Sequence, residues 1–123
     1  KLELIKVIET GPDANRLYLN PANTRYGLFT NESGKSETVS VIDTQEDVKI
    51  KDITTGLGPH NVAFDPTGKA AVVTTKKEDV ATLIDTSSAD PSQWDVITTD
   101  LEAGIQNNGV RWVPSPEALK KVL

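Results

Sequence analysis

The sequence predicts an all-β repeat protein, on three observations. One segment is written three times: Gly56-Leu57-Gly58-Pro59-His60-Asn61-Val62-Ala63-Phe64-Asp65-Pro66-Thr67-Gly68, an earlier copy from Gly11 to Asn23, and a later one from Gly104 to Pro114. Pro21, Pro66 and Pro114 mark its phase, 45 and 48 positions apart. A period of this size belongs to propellers or solenoids, built from units that cannot bury a hydrophobic face alone. The apolar pattern is short and mostly alternating, rich in Val, Ile, Thr, Leu and aromatics, with turn residues at its borders, as strands are. Length differences between copies fall only between these strands, as in a genuine repeat.

Leu4–Ile8 comes first in chain order. It precedes a Gly-Pro as Lys49–Ile53 precedes the second glycine, so residues 1–10 read as the outer strand of a preceding unit. The first full unit, residues 11–55, holds strands at Arg16–Leu19, Tyr26–Thr30, Thr38–Asp43 and Val48–Ile53. Asn20-Pro21-Ala22-Asn23 turns the chain between the first two, because proline pre-sets φ and asparagine tolerates turn geometry. The second unit, residues 56–103, repeats the order at Asn61–Phe64, Ala70–Thr75, Val80–Asp85 and Asp95–Leu101. Its first turn is Asp65-Pro66-Thr67-Gly68, where glycine is free to take positive φ. Val41-Ile42-Asp43-Thr44 matches Leu83-Ile84-Asp85-Thr86. The first unit carries extra residues in Asn31–Glu37, and the second a longer loop over Thr86–Trp94. Residues 104–123 begin a third unit. Within it Ser115–Leu123 reads either as a short helix, with Ser115 as N-cap and Pro116 at the first helical position, or as a turn followed by a strand near Lys121. The pattern leaves both open.

Composition narrows the function. The chain has 123 residues, 13 basic and 18 acidic, for a net charge of −5. That balance argues against nucleic acid as a partner, since phosphate binding needs a basic surface. There is no cysteine, which excludes disulfides and thiolate metal sites. One histidine and no methionine leave little for a transition-metal site, and no cofactor motif is evident. No apolar run approaches the roughly 18 residues of a membrane span.

Pro59-His60-Asn61-Val62-Ala63-Phe64-Asp65-Pro66-Thr67-Gly68-Lys69 and Val39-Ser40-Val41-Ile42-Asp43-Thr44 together resemble the YVTN family of β-propeller repeats. The family consensus runs roughly G-x-x-P-H-G-V-A-x-S-P-D-G-K-x-x-Y-V-T-N, a variable loop, then V-S-V-I-D-T. Thr30-Asn31 carries its threonine-asparagine; Thr75-Lys76 departs from it, and neither unit has the full tetrapeptide. The likeness spans residues 1 to about 114. It implies a segment of a β-propeller made of four-stranded antiparallel blades around a central channel, the Val62 strand innermost and the Ile53 strand outermost. It also implies a secreted, periplasmic or cell-surface location. Two blades and two flanking strands cannot close a ring. The expected partners are therefore the remaining blades of the same polypeptide, in which case this chain is a fragment, or other copies that complete the ring.

His60 is equivalent to Asn15 and Asn108, so the three are expected at the channel mouth where each innermost strand starts. They are read as possible ligand contacts or as residues that hold the adjacent loop backbone. A single histidine without acidic neighbours is a weak metal signal. The loop residues Asn31, Glu32, Ser33, Lys35 and Glu37, on the same end of the blade, are the expected partner contacts, since insertions on a repeat scaffold map to binding faces. Gly34-Lys35-Ser36 echoes a phosphate-binding loop but lacks the upstream glycine and following helix. Asn31-Glu32-Ser33 also fits the glycosylation acceptor pattern. Asp43 and Asp85 end third strands of different units, too far apart for a glycosidase pair, and are expected to hold turns. Asp65–Gly68 and Asn20–Asn23 lack the alternating oxygen ligands of a calcium loop. Trp112 aligns with Phe64 and Leu19 as blade core, whereas Trp94, without a counterpart, is expected at a blade edge or against a neighbour.

No nucleophile–base pair, metal cluster or phosphate loop emerges, so no catalytic residue is assigned. The expected function is a non-catalytic propeller segment for recognition or assembly. The alternative is part of a propeller enzyme holding haem, a quinone or a lactonase-type ion, with His60 the first suspect.

Overall fold

A computed structural model describes residues 2–103 and 109–110. It contains eight strands: β1 Ala14–Leu19, β2 Tyr26–Asn31, β3 Thr38–Asp43, β4 Val48–Thr54, β5 Pro59–Phe64, β6 Ala70–Thr75, β7 Val80–Asp85 and β8 Asp95–Glu102. They form two four-stranded antiparallel sheets, ordered β1-β2-β3-β4 and β5-β6-β7-β8. Each strand pairs only with its neighbours in sequence, as in a propeller blade, and the two sheets do not close a ring.

The sheets pack face to face. Tyr18, Tyr26, Leu28, Val39, Val41, Ile50 and Ile53 of the first blade meet Val62, Phe64, Ala71, Val73, Ile84, Trp94 and Val96 of the second. Strand alternation puts one set of side chains on each face, and this shared layer is the core. Leu28, Val39, Val41, Val73 and Ile84 are wholly buried there. Each such side chain contributes about 1.5–3 kcal/mol on leaving water.

Trp94 closes the layer. The longer loop after β7 makes a short 3₁₀ turn, Pro91–Gln93, capped by the Asp90 carboxylate accepting from Ser92 N. The turn swings Trp94 between the blades, edge-on to Tyr26 at 6.4 Å and to Phe64 at 6.2 Å. Its indole N–H donates to Ser88 O at 2.9 Å, so the ring is buried without an orphaned donor.

β1 and β5 begin two residues before the expected strands. In both, the register slips by one residue, between Ala14 and Leu17 and between Pro59 and Val62. These are β-bulges at equivalent positions, each preceded by a residue of positive φ, Asp13 at 53° and Gly58 at 71°. Residues 2–10, expected as the outer strand of a preceding blade, pair with no strand among the described residues, and Leu2, Leu4, Ile5 and Val7 are exposed. An outer strand needs the third strand of its own blade to pair with, and β3 is already paired with β4. The third unit, including Asn108, Trp112 and the segment after Ser115, lies outside the described residues.

Removing the indole in Trp94→Ala should cost about 3–5 kcal/mol, measured by urea unfolding. Gly68→Ala should also destabilise, by more than about 1 kcal/mol. Gly68 has φ 72°, and a Cβ there would lie 2.1 Å from Asn20 Oδ1.

Candidate functional site

The two bulges bring the expected mouth residues to one end of the blade pair. Asn15 and His60 sit at the same place in their blades, inside the bulge of β1 and of β5. A bulge re-aims the side chains it carries. Here both turn toward Glu32, the residue after β2, whose N–H donates to Asp13 O at 3.0 Å. Asn15 Nδ2 donates to Glu32 Oε2. Lys76 Nζ donates to Glu32 Oε1. His60 Nδ1 lies 3.0 Å from the same Oε1, at ion-pair distance but without hydrogen-bond geometry. One carboxylate of the first blade thus takes a donor from its own blade and one from the next, with the His60 imidazole close beside it. Burial opposes ionisation of Glu32, but Lys76 and His60 outweigh it and hold the carboxyl below its ordinary range.

Lys76 is the partner that the sequence reading missed. It follows β6 as Glu32 follows β2, at the point where the second unit departs from threonine-asparagine. The sequence alignment sets Lys76 against Asn31, and its equivalence to Glu32 appears only in the strand registers. The expectation that His60 lacks an acidic neighbour is likewise corrected, because Glu32 becomes adjacent only when the blades stack.

The expected partner loop divides in two. Gly34, Lys35 and Glu37 are exposed and Ser33 is half-buried. Asn31 is not a surface contact: it is wholly buried and donates from Nδ2 to Thr38 Oγ1 and Ser40 Oγ, both at 3.1 Å. Ser40 continues to Asp52 Oδ1 at 2.6 Å. Much of the loop is tied to the junction as well. Gly58 N donates to Ser36 O at 2.8 Å, and Thr55 N to Glu37 O at 2.6 Å. The segment with the phosphate-loop echo is a tight turn, with Ser36 N donating to Ser33 O at 2.9 Å.

At the opposite end of the blades, Asn20 Nδ2 donates to Gly68 O at 2.9 Å and its Oδ1 accepts from Ala22 N. Asp43 and Asp85 hold turns, as their strand-end positions imply. Asp43 takes Arg25 in a fork, Nε at 2.9 Å and Nη2 at 2.6 Å, plus the N–H groups of Gln45 and Glu46. These bonds, Arg25 foremost, push its pKa down to about 2. Asp85 has only Ser87 for the purpose, which lowers its pKa through side-chain and backbone bonds. The two carboxylates serve separate turns and share no site.

Two recesses flank the junction. One, of about 260 Å³, opens at the Asn20 end, between Tyr26, Gly68, Ser88 and Trp94. The other, of about 390 Å³, is broad and open and lies at the Glu32 end, lined by Asp13, Ala14, Asn15 and Glu32. Only the second carries ionised groups beside the predicted mouth residues. Among the described residues no group of three or more histidine, cysteine or acidic side chains is placed to hold a metal. The Lys76 ammonium at Glu32 Oε1 also opposes any cation there. No described helix is long and apolar enough to cross a membrane.

This fold makes the protein a β-propeller segment of four-stranded antiparallel blades. Solved structures agree. Hydrazine synthase of Kuenenia stuttgartiensis superposes with a TM-score of 0.69 at 17% identity, over 96% of this chain and 30% of that one. A functionally unknown protein from Desulfotomaculum acetoxidans DSM 771 gives 0.63 at 20% identity, over 86% and 33%. The chain therefore spans about a third of the length of either, and at these identities the likeness is one of fold. No protein-family model and no curated protein matches the sequence.

The Glu32 pKa is lowered in the folded chain, so its contribution to stability is present above the ordinary carboxylate pKa and is lost as pH falls through the folded value. Glu32→Gln should lower the melting temperature at pH 7 and converge with the parent in acid. Asp43→Asn should flatten the fall in stability between about pH 4 and pH 2. Thermal melts across that range check both.

Proposed function

We propose that this chain is a non-catalytic, extracytoplasmic segment of a YVTN-type propeller, serving recognition and assembly. One observation carries the reading: the polar side chains at the starts of the inner strands join the blades. Asn15, His60 and Lys76 converge on Glu32, which leaves His60 Nδ1 facing a carboxylate already paired with an ammonium. That arrangement suits a scaffold better than a haem or metal ligand. The exposed part of the Ser33–Glu37 loop, beside the Asp13–Glu32 recess, is the surface it would offer to partners. The extracytoplasmic location rests on the family resemblance, as does the ring-completing role of further blades.

Absorption spectra of the chain with haem and with divalent transition metals test this reading. The expected result is no new band in the parent or in His60→Ala. A Soret or charge-transfer band that the parent shows and His60→Ala loses would overturn the scaffold assignment.

A further inference from the structure

The chain holds one N-glycan acceptor pattern, Asn31-Glu32-Ser33. Transfer to it needs the Asn31 side-chain amide within reach of a transferase, and the folded chain withholds that amide. Asn31 ends β2 and is wholly buried. Both Nδ2 hydrogens are engaged, one with Thr38 Oγ1 and one with Ser40 Oγ. The Ser40 hydroxyl donates in turn to Asp52 Oδ1 at 2.6 Å. The amide thus ties β2 to β3 and, through Ser40, to β4. Gly11 lies against it: a Cβ there would come 2.7 Å from Asn31 Cγ and 2.8 Å from Nδ2. A space that rejects a methyl group has no place for a sugar ring. All of these groups lie within residues 11–54, so the closure needs no further blade.

We propose that Asn31-Glu32-Ser33 is a folding-gated N-glycan acceptor. It is open to transfer only while the first blade is unformed, and once modified it blocks that blade. In the transfer, Asn31 Nδ2 attacks the anomeric carbon of an oligosaccharide carried on a polyprenyl pyrophosphate. The C1–N bond forms and the C1–O bond breaks. The polyprenyl pyrophosphate leaves with the bonding electrons, and one Nδ2 proton passes to a base of the transferase. The product keeps a single N–H on Nδ2, so the hydrogen bond to Thr38 or to Ser40 is lost. The bulky, hydrated sugar also draws the amide out of a site that has no room for it. Modification and folding therefore exclude each other, and a glycan here marks chains whose first blade has not formed. The inference goes beyond the recognition and assembly reading and does not rest on it.

A purified oligosaccharyl transferase with a polyprenyl-pyrophosphate oligosaccharide, given the full-length chain, tests it. A peptide of residues 26–37 serves as the open acceptor. The peptide should take the glycan at Asn31. The native chain should do so at least about tenfold more slowly, at a rate that tracks the unfolded fraction found by urea unfolding. Trp94→Ala, which enlarges that fraction, should be modified faster than the parent, and at the peptide's rate if it does not fold. Ser33→Ala should abolish transfer to the peptide and to the chain alike. Glycosylated chain, isolated on a lectin, should lack the parent's cooperative thermal melt. A native chain modified as fast as the peptide, or a glycosylated chain that keeps the parent's melt, would overturn the gate. So would a Trp94→Ala chain modified no faster than the parent despite its larger unfolded fraction. A peptide that takes no glycan would overturn the acceptor itself.

Discussion

Two four-stranded sheets share one apolar layer, and neither could bury its inner face without the other. A sheet of four short strands carrying valines, leucines and isoleucines on one side exposes them to water unless a second layer covers them. Leu28, Val39, Val41 and Ile53 press against Val62, Ala71, Val73 and Ile84, and the buried indole of Trp94 closes the gap with Tyr26 and Phe64. The other features of the structure are arranged around that contact. The longer loop of the second unit, Thr86–Trp94, is in the structure the arm that delivers Trp94. Gly68 is held to a hydrogen atom in place of a side chain because Asn20 and Ala22 of the first blade crowd it.

Apolar packing fixes the distance between the blades but is poor at fixing their angle, since it is not directional. The polar groups at the two ends of the junction supply direction. At one end Asn20 reaches Gly68 O; at the other, Glu32 gathers Asn15, His60 and Lys76. Their placement at the rim matters. A charged cluster in the centre would bear a desolvation cost of several kcal/mol per ion. At the partly exposed rim, water bears part of that cost while the donors still lower the Glu32 pKa. The same division of labour holds within a blade, where Arg25 and Asp43 fasten a turn at the sheet end and leave the middle apolar.

Because the fold is a scaffold shared by proteins of many activities, function has to be read from particular residues. Here the residues that looked most like a ligand set are engaged in the blade junction. The lone imidazole is one of a repeating series, and the repeat explains both its position and its partner.

The strand order, the turn positions and the repeat phase were legible in the sequence. Alternation of Val, Ile and Thr sets each strand, and Asn-Pro-Ala-Asn and Asp-Pro-Thr-Gly set the turns, all through local backbone and side-chain preferences. Asp43 and Asp85 as turn residues were legible for the same reason. The bulges at Asn15 and His60 were not, because a bulge is a register between two strands and has no signature in either alone. Nor was the burial of Asn31, whose surroundings come from β3 and the preceding connector. The meeting of Glu32 with His60 and Lys76, far apart in sequence, and the place of Trp94 between blades arise only when one sheet is laid on another. Local sequence chose the sheets; long-range packing decided which polar groups would face each other across them.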